Sequence, residues 1–590
     1  MDRWVHPSLF FFLGSLLLPL IGGRAKKVFL LLIPLLAIVA VAMTQYGVYG
    51  QYHFLNIAGT FGRVDRLSMV FAWVFVIMAF LGALYALHRE DDSHHIAGFF
   101  YVGSALGAVF AGDYLTLFIF WEIMAFSSVF LVWFRREKKS SEAGFRYLLF
   151  HIFGGLLLFI GFMVHYYQTG SMAFQGILPA HASWPEYLIL AGFGLNAAVL
   201  PLHAWLPDAY PEATVEGAVF LCAFTTKTAV YVLARGFSGF EILAILGTAM
   251  TVFGVCYAVI ENDIRRVLAY HIISQVGYMV AGVGIGTQMA VNGACAHAFA
   301  HILYKALLFM GAGAVLYMTG TAKLNRLGGL YKYMPLTMIF YVVGAVSISG
   351  FPFFSGFVSK SMIVAAAHEE GRLWLMSFMN LAGIGTFLSV GLKVTYFAFF
   401  GKEEAPIQAK EPPKNMLWAM GLTALLCFII GVFPQSLYGL LPFPVEYHPY
   451  NWPHLSEMLQ ILGFTGLVFL LMIKKLAPEA KINLDVDYFY RRSMQLFVKF
   501  VEKVVSPVDS FWGELYRLVG IKALYKGADL SYGFDRKAID GVVDGTAYAV
   551  QDLGAVVRKI QTGRIQTYIG LSLFLLFVIL GLVFHFSNVF

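Results

Sequence analysis

His297, His301 and Lys305 follow one another at intervals of four residues within a long apolar run. At helical pitch that spacing stacks all three on one face. Imidazole titrates at about 6.5 in water, so such a row suits a proton relay. H-x-x-x-H also spaces two metal ligands, but no glutamate sits inside this one to act as a base. No metal site is assigned, and polar packing is the plain alternative. Glu122 in Phe120-Trp121-Glu122, Lys227 in Thr225-Thr226-Lys227-Thr228, Lys360 and Lys393 are further ionisable groups in apolar stretches. A charge within a membrane span costs at least about 2.5 kcal/mol, which makes each a functional candidate. Desolvated groups titrate away from their ordinary values and can carry a proton near neutral pH. An interfacial position for Glu122 and snorkelling for Lys227 are the bland alternatives.

The elements that must hold these groups follow from composition. The 590 residues are 59% hydrophobic and only 13% charged, against roughly 25% charged in a soluble protein. Lipid is therefore the main solvent. The net charge of +7 lies in short loops and gives no support to nucleic-acid binding. A span needs about 20 mostly apolar residues. Sixteen candidates lie near 5–23, 27–45, 66–88, 95–112, 113–134, 143–167, 185–206, 213–236, 239–260, 267–285, 291–318, 336–366, 374–400, 416–440, 456–475 and 566–588. The stretch Pro7 to Gly23 lacks a cleavage-site pattern and reads as a retained first span.

Loop charges test that count. Loops after odd spans carry Arg24, Lys26 and Lys27; Arg89; Arg135, Arg136, Lys138 and Lys139; Arg265 and Arg266; Lys323 and Arg326; Lys402, Lys410 and Lys414; Lys474 and Lys475. Only the loop after span seven has none, and loops after even spans carry far fewer. The positive-inside rule then puts both termini outside an inner (cytoplasmic) membrane and the basic loops in the cytoplasm. Residues 476–565, rich in charge with apolar residues at helical spacing, read as cytoplasmic amphipathic helices. Pro507, Gly513, Gly520 and Gly527 argue against one unbroken helix there. Cys222, Cys256, Cys295 and Cys427 lie in apolar segments, have no metal-ligand spacing and read as small core residues.

Spans seven and twelve are interrupted, the first around Asn196, Pro201 and His203, the second around Gly350, Pro352 and Gly356. They stand five spans apart, and paired interruptions point to an inverted-repeat transporter with sites near the midplane. Unwound backbone survives in a membrane only where protein or a cavity surrounds it. Gly282-x-Gly284-x-Gly286 lies inside a span and reads as close helix packing, not a dinucleotide loop.

Three strings carry a resemblance: Gly194 to Ala209, containing Asn196, Pro201, His203, Trp205, Pro207 and Asp208; Ala269-Tyr270-His271 through Ser274-Gln275 and Gly277-Tyr278; and Gly350-Phe351-Pro352 through Gly356 to Lys360. They resemble the proton-conducting antiporter-like subunits of NADH–quinone oxidoreductase (subunits L, M and N), Mrp-type antiporters and membrane-bound hydrogenases. The tail around Gln561 to Tyr568 is similar to that of subunit L, whose lateral helix runs beside neighbouring subunits.

The resemblance implies an all-α polytopic fold with two inverted five-helix repeats, spans four to eight (95–236) and nine to thirteen (239–400). Residues 1–94 precede them; 401–475, 476–565 and 566–590 follow. It implies a proton path through Glu122, Lys227, His297, His301, Lys305 and Lys360, with Lys393 a further buried cation. It implies no cofactor on this chain and other membrane subunits as partners. Two positions depart. Asn196 stands where the family usually has lysine, and Gly155 stands near a span-six acidic residue found in many L subunits. Either Lys227 partners Glu122, or the first half-channel works differently or not at all. The reading is a proton-translocating subunit, with possible sodium linkage, of a complex I-like or Mrp-type assembly. A non-conducting scaffold and a component of inorganic-carbon uptake are the alternatives.

Overall fold

The computed structural model describes residues 4–54, 57–403, 409–479 and 483–587. The two chain ends and the last residue of the final span, assigned to the outer side, lie outside the described residues. The chain divides into two bodies, Met1–Asp487 and Tyr488–Phe590.

The first body begins with α1 (Ser8–Leu17), α2 (Gly23–Met43) and an antiparallel hairpin, β1 (Gly47–Phe54) and β2 (Ile57–Val64), pairing Gly47 with Val64. The hairpin stands where the span pattern predicts only a loop. Helices α3 (Arg66–Ala86), α4 (Asp92–Phe110), α5 (Tyr114–Trp133) and α6 (Lys138–Thr169) follow. Span seven is α7 (Trp184–Asn196), an irregular turn and the short α8 (Trp205–Ala209). Span eight is itself interrupted, between α9 (Val215–Leu221) and α10 (Thr225–Gly236). No glycine or proline marks residues 222–224, so the sequence alone predicts one continuous helix there.

The second repeat has the same order: α11 (Glu241–Ile260), α12 (Ile264–Ile285), α13 (Gln288–Thr319), then the broken pair α14 (Pro335–Ser349) and α15 (Ser355–Glu369). Its fifth span, α16 (Leu373–Thr386), continues in π-helical turns at Phe387–Val394 and Tyr396–Phe400. Helices α17 (Lys414–Val432), α18 (Gln435–Tyr438) and α19 (Trp452–Met472) complete this body.

Among the described residues, twelve helices are long and apolar enough to cross a membrane. The other four sequence-derived spans correspond to α1, α4 and the two broken helices, which are too short or too polar for that test. The breaks in spans seven and twelve each contain a non-glycine residue with positive φ, Ala198 at 56° and Phe353 at 73°. Such backbone is costly unless its surroundings hold it.

Helix α13 is almost wholly buried and packs against α3, α9, α12, α14, α15 and α17. Largely apolar apart from one polar face, it sits in the core, and that face carries the central row. Glycines let α11 and α12 approach closely: a Cβ on Gly284 would lie 2.0 Å from the Ala244 nitrogen. Three of the cysteines are buried, but Cys256 is exposed on α11, contrary to its reading as a core residue.

In the second body, α20 (Asp487–Phe500), α21 (Ser506–Leu515), α22 (Ala523–Phe534) and α23 (Asp540–Ile560) are joined by π-helical turns into one helical run. Pro507 and the glycines do not break it. Proline lacks an N–H and crowds the carbonyl four residues earlier, and the π turn at Val501–Val505 widens the helix there. The run spans roughly 110 Å at the α-helical rise. The last helix is α24 (Ile565–Ser587).

Candidate ion path

The half-helices expose backbone carbonyls at their broken ends, and lysines take them. Lys360 on α15 donates to the Ile348 carbonyl at 2.9 Å, near the end of α14. Lys227 on α10 donates to the Cys222 carbonyl at 2.6 Å, in the break of span eight, and to Thr226 Oγ1 at 3.1 Å. Both lysines are buried. A cation at a helix C-terminus also meets the negative end of its dipole.

Between them lies the row on α13. His297 Nδ1 is 3.0 Å from Ser359 Oγ, the neighbour of Lys360, and its Nε2 is 3.2 Å from Gln275 Oε1. The His297 and His301 rings are 6.2 Å apart, and the Tyr304 ring is 5.2 Å from His301. Neither His301 nitrogen, nor Lys305 Nζ, has a hydrogen-bond partner among the described residues, though all are buried. Buried polar groups lacking protein partners are ordinarily served by internal water.

Motif residues that the sequence left without roles join this row. Gln275 bonds His297, Tyr278 lies 5.1 Å below the Lys360 ammonium, and His271 Nε2 is 2.6 Å from Ser389 Oγ. Lys360 also borders a cavity of about 310 Å³ lined by Tyr278, Ser361, His368, Tyr447, His454 and Glu457. Lys393 stands apart from the row. Its Nζ donates to the Val259 and Glu261 carbonyls at 2.6 and 2.9 Å, closing the end of α11.

In the first repeat, Glu122 is half-buried beside an apolar groove that includes Phe100, Phe126 and Phe130. Its Oε1 has no hydrogen-bond partner among the described residues. Lys227 makes its bonds elsewhere and does not pair with Glu122. Gly155 explains where the carboxyl sits: a Cβ there would lie 2.2 Å from Glu122 Oε1. Asn196, the last residue of α7, meets His151 of α6, with Oδ1 3.1 Å from Nδ1.

His203, in the irregular turn between α7 and α8, reaches a residue far along the chain. Its Nε2 is 3.2 Å from Asp485 Oδ1, and Tyr270 donates to Asp485 Oδ2 at 2.7 Å. Tyr257 donates to the Leu484 carbonyl at 3.0 Å. The sequence places Asp485 among the charges of a surface amphipathic stretch; it is instead 4% exposed, docked against the turn before α8 and against α11 and α12. Burial alone would raise its pKa, but the His203 and Tyr270 contacts outweigh that and hold it below the ordinary carboxylate value.

A multi-pass membrane protein with two broken-helix repeats and a buried row of lysines and histidines is thus on view. The family described as NADH:quinone oxidoreductase/Mrp antiporter, TM, matches residues 111–386. The D-type component of the Na(+)/H(+) antiporter of Alkalihalophilus pseudofirmus is 30% identical over 393 residues, covering 63% of this chain and 79% of that protein. The chain belongs to this family of antiporter-like membrane subunits.

Two longer relatives are also similar. The A-type component of the Na(+)/H(+) antiporter of the same organism is 28% identical over 506 residues, covering 73% of this chain and 62% of its own. A probable K(+)/H(+) antiporter component of the A/B type from Rhizobium meliloti is 28% identical over 453 residues, covering 69% of this chain but only 45% of its own. Among solved structures, the Mrp complex from a Dietzia species matches with TM-score 0.73 at 24% identity, over 88% of this chain and 62% of that one. The membrane-bound sulfane sulfur reductase, an archaeal respiratory membrane complex, matches with TM-score 0.66 at 25% identity, over 78% of this chain and 97% of that one.

Proposed function

We propose that this chain is an ion-translocating subunit of an Mrp-type antiporter complex, and that the ion on its own path is the proton. The observation that carries this reading is the buried line from Lys227 through Lys305, His301 and His297 to Lys360. Its central nitrogens have no protein partner among the described residues. A scaffold gains nothing from holding so much unneutralised charge out of water. Protons move by exchange between these side chains and water, each transfer shifting the charge its neighbours feel. The cavity beside Lys360 lies, by the loop charges, toward the outer face and supports an opening there. The chain sits in the inner membrane, assembles with other membrane subunits and carries no cofactor of its own.

A second reading places the chain in a redox-driven complex. The match to an archaeal respiratory complex over 97% of that chain favours it. Here too the redox chemistry belongs to partner subunits.

The test is proton, sodium and potassium movement by the whole complex in sealed vesicles, wild type against Lys305→Ala and Lys360→Ala. Loss of transport in intact complexes is expected. Exchange driven by a cation gradient alone selects the antiporter, and exchange that requires a reductant selects the redox complex. Unchanged transport in both variants sinks the conducting assignment and leaves the scaffold.

A further inference from the structure

We propose that His151, facing Asn196 at the first break, is a proton-carrying group of the first repeat between Glu122 and Lys227. This rests on the conducting role proposed above. Asn196 cannot exchange a proton near neutral pH, yet it ends α7 at the break. The residue facing it, His151, is 1% exposed, and its Nδ1 lies 3.1 Å from Asn196 Oδ1. If that oxygen accepts, Nδ1 holds the hydrogen and Nε2 presents a free lone pair. Nε2 has no protein partner among the described residues, and neither does Asn196 Nδ2. One buried pair therefore presents an acceptor and a donor that protein leaves unused, the setting for a bridging water.

The surroundings fix the ring and supply a carboxyl. Tyr147 and Trp205 pack on the imidazole, with ring centres 4.2 and 4.8 Å away. Tyr147 is itself held by Ser128, with the hydroxyls 2.7 Å apart. Gly155 is four residues beyond His151 on the same face of α6, and it is against Gly155 that the Glu122 carboxyl rests. Other charges on these elements are Arg146 on α6, paired at 2.6 Å with Asp208 on α8, His165 on α6, 2.7 Å from Glu186 on α7, Lys138, Lys139 and Glu142 at the start of α6, and Lys227 on α10, turned to the Cys222 carbonyl. Glu122 is thus the carboxyl placed to exchange with His151. A proton leaves Glu122, adds to Nε2 while Nδ1–H stays on Asn196, and then leaves Nε2 toward Lys227. The imidazole ends neutral, as it began.

The experiment uses the intact complex in sealed vesicles, with proton movement driven by a sodium or potassium gradient. It compares wild type, His151→Gln, Asn196→Lys and the double variant, with assembly checked on native gels. Glutamine keeps a hydrogen bond to Asn196 but cannot titrate. Transport in His151→Gln should fall about 10²-fold, the scale of lost acid–base participation. Adding Asn196→Lys should restore it to within about threefold, with the pH–rate profile moved to the alkaline side as lysine replaces histidine. Wild-type transport in His151→Gln, or loss that Asn196→Lys fails to restore in an assembled complex, overturns the proposal. If His151→Gln fails to assemble, Asn196→Lys alone decides: an unmoved pH profile overturns it and an alkaline shift supports it. Should Lys305→Ala and Lys360→Ala also transport normally, the conducting role itself has failed; normal transport in His151→Gln alone removes only His151.

Discussion

Replacing Gly155 with alanine tests whether the Glu122 carboxyl is held in position or merely accommodated. The new Cβ would lie 2.2 Å from Oε1 and 3.1 Å from the carboxyl carbon. An ordinary contact begins near 3.4 Å, so the oxygen must retreat by a little over 1 Å. The atom that must move is the end of a flexible side chain beside an open groove, not backbone. The steric cost to the fold is therefore small. Alanine in a helix interior gains about 1 kcal/mol over glycine, so the complex should assemble as well as wild type. Transfer is less forgiving. Proton exchange needs heavy atoms within roughly 2.6–3.2 Å, directly or through one water, and a misplacement of about 1 Å can cost 10²-fold in rate. Gly155→Ala should assemble normally yet move protons roughly 10- to 100-fold more slowly in gradient-driven vesicle assays. Glu122→Gln is the reference for complete loss. Transport within a factor of two of wild type in Gly155→Ala, with Glu122→Gln inactive, would refute the positioning argument: the carboxyl would then work from more than one place.

Three further outcomes follow from the geometry. Asp485 is held below its ordinary value by His203 and Tyr270, so its docking contributes stability that is complete above about pH 3.9 and lost as pH falls through the lowered value; Asp485→Asn should loosen the segment at neutral pH, read as faster labelling of a cysteine placed at Leu484. Gly284→Ala puts a methyl 2.0 Å from the Ala244 nitrogen, where backbone must yield, and should cost about 1–3 kcal/mol, seen as a lower thermal midpoint in detergent. At Ala198, whose φ is 56°, glycine should be neutral to within about 1 kcal/mol while valine, strongly disfavoured there, lowers the midpoint clearly.

What the sequence made legible was what lipid enforces. Each of the sixteen apolar runs has a helical counterpart, because a chain crossing a bilayer must satisfy its backbone within the span. The breaks at Pro201 and at Gly350–Pro352 were visible because those residues cannot continue a helix without cost. The break at 222–224 was not, since Cys222, Ala223 and Phe224 are ordinary helix residues; what marks it in the structure is Lys227 bonding the Cys222 carbonyl. The π turns at Phe387–Val394 left no composition signal either. His151 looks like a lone histidine on an apolar helix, which is most often packing; its partner Asn196 lies 45 positions away. Asp485 is hidden by context: its neighbours in sequence are charged, and His203 is 282 positions distant. The Asn196 departure was legible, but its consequence needed the residue across from it.

Two kinds of lysine emerge along the proposed path, and the difference bears on how charge would move. Lys227 and Lys360 each hold a carbonyl released by a helix break. Such a carbonyl accepts from an ammonium and from a neutral amine alike, because both retain N–H donors. These two side chains therefore keep their place whichever charge they carry, and a change of protonation leaves no orphaned backbone behind. Lys305 has no such anchor among the described residues; His301 is one turn away on the same helix, and Lys227 lies within electrostatic range. Its charge state must answer to theirs. Anchored lysines at the breaks of spans eight and twelve, with an unanchored one between them, would give the proposed path ends that are fixed in space and a middle set by its neighbours' charge.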